Sequence, residues 1–516
     1  MSNSEQMHRR HFLGLAGATT VSVAALAAGC ASRAGDDIGQ PRPNIVFILA
    51  DDLGWGDLSR YGRTDYRTPH IDSIGEQGIS FTAGYANSCL CSPTREAFFT
   101  GQYQQRIPQD ELLADDTHGI PPETPTIATL LNQVGYRTAL IGKWHCGLPP
   151  QFGPLKSGFQ YFYGFHNGEI DYFGHTAINA DKANSNRSPN IPTMVPDLWE
   201  NDQPISEQGY STQLFTDRAV TYIETSAKTG QPFYLSLHYN AVHWPWESPQ
   251  SGPHPLRTPE DLNASPEVFA QMVTALDSHV GRVLEALERT GIAENTLVVF
   301  TSDNGGERYG HEYPFNGQKG NLYEGGIRVP MMARWPDRIP AGQITRQVAI
   351  SMDWTATIAA AAGTSAAAGH PFDGIDLSPH MFRRQPETER TLYWRFNMAD
   401  DTNNGASRSG QAALRKGKYK YLKLTDNIEQ LYDLSAPISL PHPASGADPE
   451  AADRNLSDKP EHAALLAELR ESYLAWDASM PSPSHIPRQI AGTNADARLK
   501  PGGNEKPGGY PLPFQK

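Results

Sequence analysis

A seven-residue apolar run at 44–50 (NIVFILA), ending directly in the acid pair Asp51-Asp52, constrains this chain more than any other feature. A β-branched, apolar run of that length without polar alternation is the pattern of a strand buried on both faces. Such strands belong to sheets covered by helices on each side, whose working groups collect beyond the carboxyl ends of the strands. A second run, 297–301, ends in Ser302-Asp303-Asn304-Gly305. Helical patterns lie between the two at 126–134 and at 269–288, the latter with apolar residues at Met272, Leu276, Val280, Val283, Leu284 and Leu287. Strands alternating with helices predict an α/β fold built on a large, mostly parallel sheet flanked by helices.

After about residue 385 the texture changes to short strand patterns at 392–396, 411–414, 419–424 and 431–434, followed by a helical pattern at 461–476. These predict a smaller C-terminal antiparallel sheet packed with one helix. The expected organisation is an export signal at 1–30, a catalytic domain at 41–385, an α+β subdomain at 386–480 and a Pro- and Gly-rich tail at 481–516. In the first segment, Arg9-Arg10 followed by Phe12-Leu13 resembles a twin-arginine signal. Leu26-Ala27-Ala28-Gly29-Cys30 resembles a lipoprotein cleavage box, in which Cys30 would be lipidated; a plain cleaved signal is the alternative. The expected location is therefore outside the bacterial cytoplasm, periplasmic or as a membrane-anchored lipoprotein, touching the membrane only through signal or anchor. No later stretch reaches a membrane-spanning run, because the Ala-rich stretch at 355–368 is broken by Gly363 and Ser365.

With 43 Lys and Arg against 57 Asp and Glu, the net charge of −14 repels a phosphate backbone and argues against a nucleic-acid partner. An anionic substrate would have to be captured by a local cluster of cations. Four cysteines, at 30, 89, 91 and 146, are too few for a disulfide framework, and Cys89 and Cys146 read as small apolar packers.

The residues with chemical potential fall into three clusters. Adjacent carboxylates repel, so Asp51-Asp52 at a strand end either flanks a cation or supplies a turn and a helix cap. Joined by Asp303 and Asn304 at the end of the other strand, the pair would offer three carboxylates and one amide oxygen. That set suits Ca²⁺, or Mg²⁺ in a small cage, rather than zinc. In Cys91-Ser92-Pro93-Thr94-Arg95, Ser92 is expected to cap a helix and Pro93 to take its first position. Cys91 would then sit where negative charge on sulfur or on a bound oxyanion is stabilised, with Arg95 one turn on; a lone Cys near an Arg is otherwise structural.

Together with Thr100-Gly101, the Cys91–Arg95 segment resembles the signature of sulfatases of the alkaline-phosphatase-like superfamily, in which the cysteine becomes formylglycine. The resemblance runs from about 43 to 476. It takes in Gly142-Lys143-Trp144-His145, Asn240-Ala241-Val242-His243-Trp244-Pro245, Ser302-Asp303-Asn304-Gly305, Lys319-Gly320 and Tyr323-Glu324-Gly325-Gly326, in the family's order. Val242 stands where relatives often have Pro, and Cys146 where they often have Leu. The resemblance implies an arylsulfatase-like sulfuric ester hydrolase, with Cys91 modified by a formylglycine-generating enzyme. It implies calcium bound by Asp51, Asp52, Asp303 and Asn304 together with residue 91. Arg95, Lys143 and Lys319 would neutralise the sulfate oxygens, and Asp303 would accept the attacking proton. His145 would take a proton as sulfate is expelled, and His243 or Lys319 would protonate the leaving alcohol. The rivals are a phosphonate monoester or phosphodiester hydrolase with the same site, and a catalytically silent glycan-binding relative.

For the substrate, the aromatic stretch 159–173 with His166, Asn167 and Asp171, followed by His175, either stacks on a sugar and reads its hydroxyls or belongs to the core. The stretch 197–210 resembles arylsulfatases and galactosamine-type sulfatases, which implies a sulfated carbohydrate.

Overall fold

The computed structural model describes residues 42–107, 118–179, 193–253, 264–383, 385–397, 410–425, 428–442 and 447–481. The expected export signal, Cys30 and nearly all of the C-terminal tail lie outside the described residues. Ten strands form the main sheet: β1 (Asn44–Ala50), β2 (Ile79–Phe81), β3 (Arg137–Lys143), β4 (Tyr161–Phe165), β5 (Trp199–Glu200), β6 (Gln203–Pro204), β7 (Phe233–His238), β8 (Thr296–Ser302), β9 (Met331–Arg334) and β10 (Gln343–Thr345). Their order is β10-β2-β9-β8-β1-β7-β3-β4-β5-β6. The five central strands, β8 to β4, are mutually parallel, and antiparallel pairs appear only on their flanks.

Side chains alternate across a strand, so a run buried on both faces must feed two cores. In β1, Val46 and Ile48 enter one core and Ile45, Phe47 and Leu49 the other. The first is roofed by α1 (Pro69–Glu76), α4 (Ser211–Ala227) and α5 (Pro266–Arg289), the second by α2 (Cys91–Thr100), α3 (Ile127–Gln133) and α6 (Asp353–Ala362). Helix α5 begins where its sequence asks: the Ser265 side chain accepts from Val268 N, Pro266 takes the first position, and the six apolar residues of the predicted stripe are all buried. Among the described residues no helix is long and apolar enough to cross a membrane.

The C-terminal sheet has β11 (Thr391–Asn397), β12 (Gly410–Lys416), β13 (Tyr419–Thr425) and β14 (Ile428–Asp433), antiparallel in sequence order. Helix α7 (Ala463–Ala478) covers it through Leu469, Tyr473 and Trp476. Their core also contains Tyr85, Cys89, Leu90, Leu322 and Ile327, so this sheet supports the segment leading into α2 and the loop that follows Lys319.

Candidate active site

Strand register brings the two acidic turns together. Ala50 of β1 lies opposite Ser302 of β8, so Asp51 and Asp303 leave the sheet side by side. On the other side of β1, Leu49 pairs with His238 of β7, which pairs with Gly142 of β3, so Lys143 emerges at the same edge. Asp51 N donates to Ala241 O (3.0 Å) and Val242 N to Asp51 O (2.8 Å), which ties the loop carrying His243 to this edge. Asp52 has φ 57°, a left-handed conformation disfavoured for a residue with a Cβ. It is held there by its amide, which donates to Asp303 Oδ1 at 3.2 Å.

Helix α2 supplies Cys91 and Arg95. Here the structure corrects the expected cap: Cys91 is the first helical residue, Leu90 is the N-cap, and Ser92 makes no cap. Thr94 organises the entry instead, its Oγ1 accepting from Ser88 N at 2.9 Å. Pro93 is still tolerated, because amides of the first turn have no intrahelical partner. All ten residues of α2 are buried, and Phe98 stacks on Phe47 of β1 at 4.0 Å. That packing fixes Arg95 beneath the acids, where its guanidinium donates to Asp303 Oδ2 through Nε (3.0 Å) and Nη2 (2.8 Å). Its Nη1 reaches Lys143 O and His238 Nδ1, each at 3.1 Å. His238 is a site neighbour that the sequence did not mark, since it is one more residue in the strand pattern FYLSLH.

The remaining cations pair with the remaining acids. Lys143 Nζ is 2.7 Å from Asp51 Oδ2, and Lys319 Nζ is 2.6 Å from Asp52 Oδ2 and 3.7 Å from Glu307 Oε2. His243 Nε2 is 3.6 Å from Asp52 Oδ2, and Asn304 Nδ2 donates to Asp52 Oδ1 at 2.7 Å. Burial, with the charge of Asp303 adding, pushes the Asp51 carboxyl well above the usual range. Burial acts the same way on Asp52, but Lys319 and then His243 hold it below that range. The Cys91 thiol is pushed up by burial despite Lys143 and Lys319, so the helix N-terminus does not yield a thiolate here. Burial and then Lys143 depress His145, and burial and then Lys319 depress His243, leaving both imidazoles neutral near pH 7. His243 Nδ1 lies 2.5 Å from Trp244 O; a carbonyl only accepts, so this nitrogen carries the hydrogen.

Glycines let the loops close on one another. Lys319 N donates to Gly306 O (2.9 Å) and Gly320 N to Cys89 O (3.0 Å), which docks the Lys319 loop against both the Asp303 turn and the entry to α2. Gly305 N donates to Gly326 O at 3.0 Å, and a Cβ at Gly305 would lie 1.8 Å from Gly325 O. Gly305→Ala is therefore expected to push the two loops apart. It should lower stability by about 1–3 kcal/mol in a denaturant titration, and turnover should fall with it.

The donor set suits a hard divalent cation. Asp51 Oδ1 and Asn304 Oδ1 are buried with no hydrogen-bond partner. Ligand atoms of Asp51, Cys91 and Asp303 lie within 4.8 Å of one another, as do those of Asp51, Asp52 and His243. Orphaned carboxylate and amide oxygens in a buried space are what such a cation satisfies, so these residues fit one.

Most of the aromatic stretch belongs to the core rather than to a surface open to a sugar. Residues 161–165 are β4, and Phe159, Phe162, Tyr163, Phe165 and Tyr172 are buried in the two main cores. Its polar residues bind their own loops: Asp171 accepts from the backbone of Phe173, Gly174 and Thr176, Asn167 donates to Asp197, and His175 Nε2 lies 3.1 Å from Gly209 O. Cys89 and Cys146 are fully buried in apolar cores, as expected for packers.

Comparison with known proteins agrees with this geometry. Residues 43–364 match the sulfatase family model, and 312–475 match the model of the N-sulphoglucosamine sulphohydrolase C-terminal region. The chain is 34% identical over 388 residues to N-acetylgalactosamine-6-sulfatase of Mus musculus, 70% of each chain, and 33% identical over 419 residues to arylsulfatase A of Homo sapiens, 78% of each. It is also similar to the crystal structure of Ps i-CgsB in complex with k-i-k-neocarrahexaose, with a TM-score of 0.73 and 30% identity over 89% of this chain and 97% of that one. A phosphonate monoester hydrolase from Silicibacter pomeroyi shares the fold at a TM-score of 0.58 and 20% identity, covering 85% of this chain and 96% of that one. Since the family match spans the sheet, both acidic turns and helix α2, the chain belongs to the sulfatase family and is a sulfuric ester hydrolase.

Proposed function

We propose that the protein removes sulfate from a sulfated carbohydrate, with residue 91 carried as formylglycine and a calcium ion held by Asp51, Asp52, Asp303, Asn304 and residue 91. The observation that carries this reading is the convergence of three buried carboxylates and two orphaned oxygens at the start of α2, ringed by Arg95, Lys143 and Lys319. A buried thiol with a raised pKa would be a poor nucleophile at neutral pH, which favours an oxidised residue at that position. The ion would supply Lewis-acid charge stabilisation beside the nucleophile.

The chain's own groups then divide the work. Arg95, Lys143 and Lys319 offset the negative charge of the sulfate oxygens in a site shielded from water. A hydroxyl of the aldehyde hydrate attacks sulfur, its proton passes to Asp303, and the bond from sulfur to the alcohol oxygen breaks. The alcohol takes its proton from Lys319, because neutral His243 has its hydrogen on Nδ1, committed to Trp244 O. Neutral His145 removes the proton of the second hydroxyl, the carbon–oxygen bond to sulfate breaks, and the carbonyl is restored for hydration by water.

The carbohydrate is inferred from the relatives, whose names include an N-acetylgalactosamine-6-sulfatase and a complex with neocarrahexaose. The phosphonate reading rests on a neighbour similar in fold alone. Residues 1–30 support export to the bacterial periplasm or its membrane surface. The reading is tested on protein from a host that holds the maturation enzyme. Mass analysis should show the Cys91 peptide lacking sulfur and two hydrogens and carrying one added oxygen. Chelation should abolish aryl sulfate turnover and lower the melting temperature, with calcium restoring both; an unmodified thiol in active enzyme would falsify the proposed nucleophile.

A further inference from the structure

We propose that Asp197 is a positioning residue for His145, acting through the loop 166–168; this rests on the role given to His145 above. Asp197 is buried, and it gathers the donors of that loop onto one carboxylate. Its Oδ2 accepts from Asn167 Nδ2 (2.7 Å), Asn167 N (2.9 Å) and His166 N (3.2 Å), while Oδ1 accepts from Trp199 Nε1 (2.7 Å) and shares His166 N (3.3 Å). His166 Nδ1 stands 3.8 Å from the same Oδ1. Asp197 is itself anchored, its amide donating to His175 O at 2.9 Å.

The loop so held is the wall against which His145 stands. His145 N donates to His166 O at 3.2 Å, and Trp144 N to Phe165 O at 3.0 Å. A Cβ on Gly168 would lie 2.9 Å from both Cε1 and Nε2 of the His145 ring, so the loop backbone passes directly over the imidazole. His145 is in the left-handed region at φ 55°, a conformation that relaxes unless its surroundings impose it. Asp197 touches no reacting group. Its carboxylate gives the loop amides an acceptor that no neutral side chain of that size replaces, and the loop in turn limits where the imidazole can point.

Trp199→Phe is the control, because it removes a donor on the Trp199 side of the carboxylate and leaves the loop bonds in place. In rapid-mixing assays with an aryl sulfate, Asp197→Ala is expected to lower kcat about a hundredfold with KM within about twofold, as for a displaced base. Alcohol release should run ahead of sulfate release in a burst, as in His145→Ala. Asp197→Asn, which keeps one acceptor oxygen and guards against loss of folding in the alanine variant, should show a smaller fall with the same burst. Trp199→Phe should keep wild-type kcat. The proposal is overturned if Asp197→Ala and Asp197→Asn lose only the amplitude of active enzyme, with no burst, or if Trp199→Phe falls as far. Absence of any sulfate-ester turnover in the wild type removes the sulfatase reading and this proposal with it, whereas wild-type turnover with unchanged Asp197 variants removes the positioning role alone.

Discussion

Cys91→Ala is expected to reduce aryl sulfate turnover by at least ~10⁴-fold while leaving the protein folded, because alanine cannot be converted to the formylglycine whose hydrate attacks sulfur and little else is lost. The thiol is buried at the first position of α2 but lies outside the three hydrophobic cores, so its loss opens no large apolar cavity. Arg95 keeps its bonds to Asp303 and Lys143, and the register that sets the acidic turns is untouched. Steady-state release of the phenol and a thermal melt check both halves. Residual activity above about a tenth of wild type would mean that another group attacks sulfur, since a background that large exceeds what binding and charge stabilisation retain.

Lys420→Met should have the largest effect on stability, a loss of about 3–5 kcal/mol, because it removes one member of a fully buried ion cluster. Lys420 Nζ lies 3.0 Å from Glu324 Oε1 and 2.8 Å from Glu450 Oε1. Glu324 Oε2 also accepts from Tyr85 Oη (2.6 Å) and Arg328 Nη1 (2.9 Å). Burial alone would raise Glu324, but Lys420, Arg328 and Arg415 hold it down at about 2. Burial pushes Glu450 up to about 8, with the charge of Glu324 adding.

Between 4.5 and about 8 the unfolded chain releases the Glu450 proton while the folded one keeps it, so this group's contribution falls as pH rises through that window. Glu324 contributes stability above 4.5 that is lost as pH falls towards 2. Without Lys420 both carboxyls favour their protonated forms, so the variant's deficit should be larger on the alkaline side of the window than on the acidic side. Chemical denaturation at the two extremes measures this; equal deficits would show that Lys420 acts by packing alone. The cluster joins β13 to the short helix Glu324–Ile327 and to the Lys319 loop, so turnover should weaken with it.

Much of this architecture was legible along the chain because its signals are local. The runs ending at Ala50 and Ser302 place apolar residues on both faces because each face meets a helix layer, and a polar turn at the end of such a strand has one edge of the sheet to occupy. The stripe of α5 and the four C-terminal strands follow from periods of 3.6 and 2. Readings were wrong or stayed open where the folded chain chooses among partners. Ser92 has the chemistry of a cap, yet the helix starts two residues earlier, with Thr94 and Ser88 bonded across its entry. An aromatic in β4 reads the same whether it faces a sugar or Phe215, and packing against α4 decided for the core. The role of Asp197 was not legible, because its loop donors, His166 and Asn167, come from some thirty positions earlier.

By itself the chain determined the two-sided parallel sheet, the acid pairs at its strand ends and the cysteine at the start of a helix, since each depends on residues adjacent in sequence. Only the tertiary structure decided that Ala50 faces Ser302 and that Arg95, Lys143 and Lys319 each take a separate carboxylate. It alone passed the 166–168 loop over His145. Those outcomes depend on strand register and on bonds between separate loops, which local propensity does not encode.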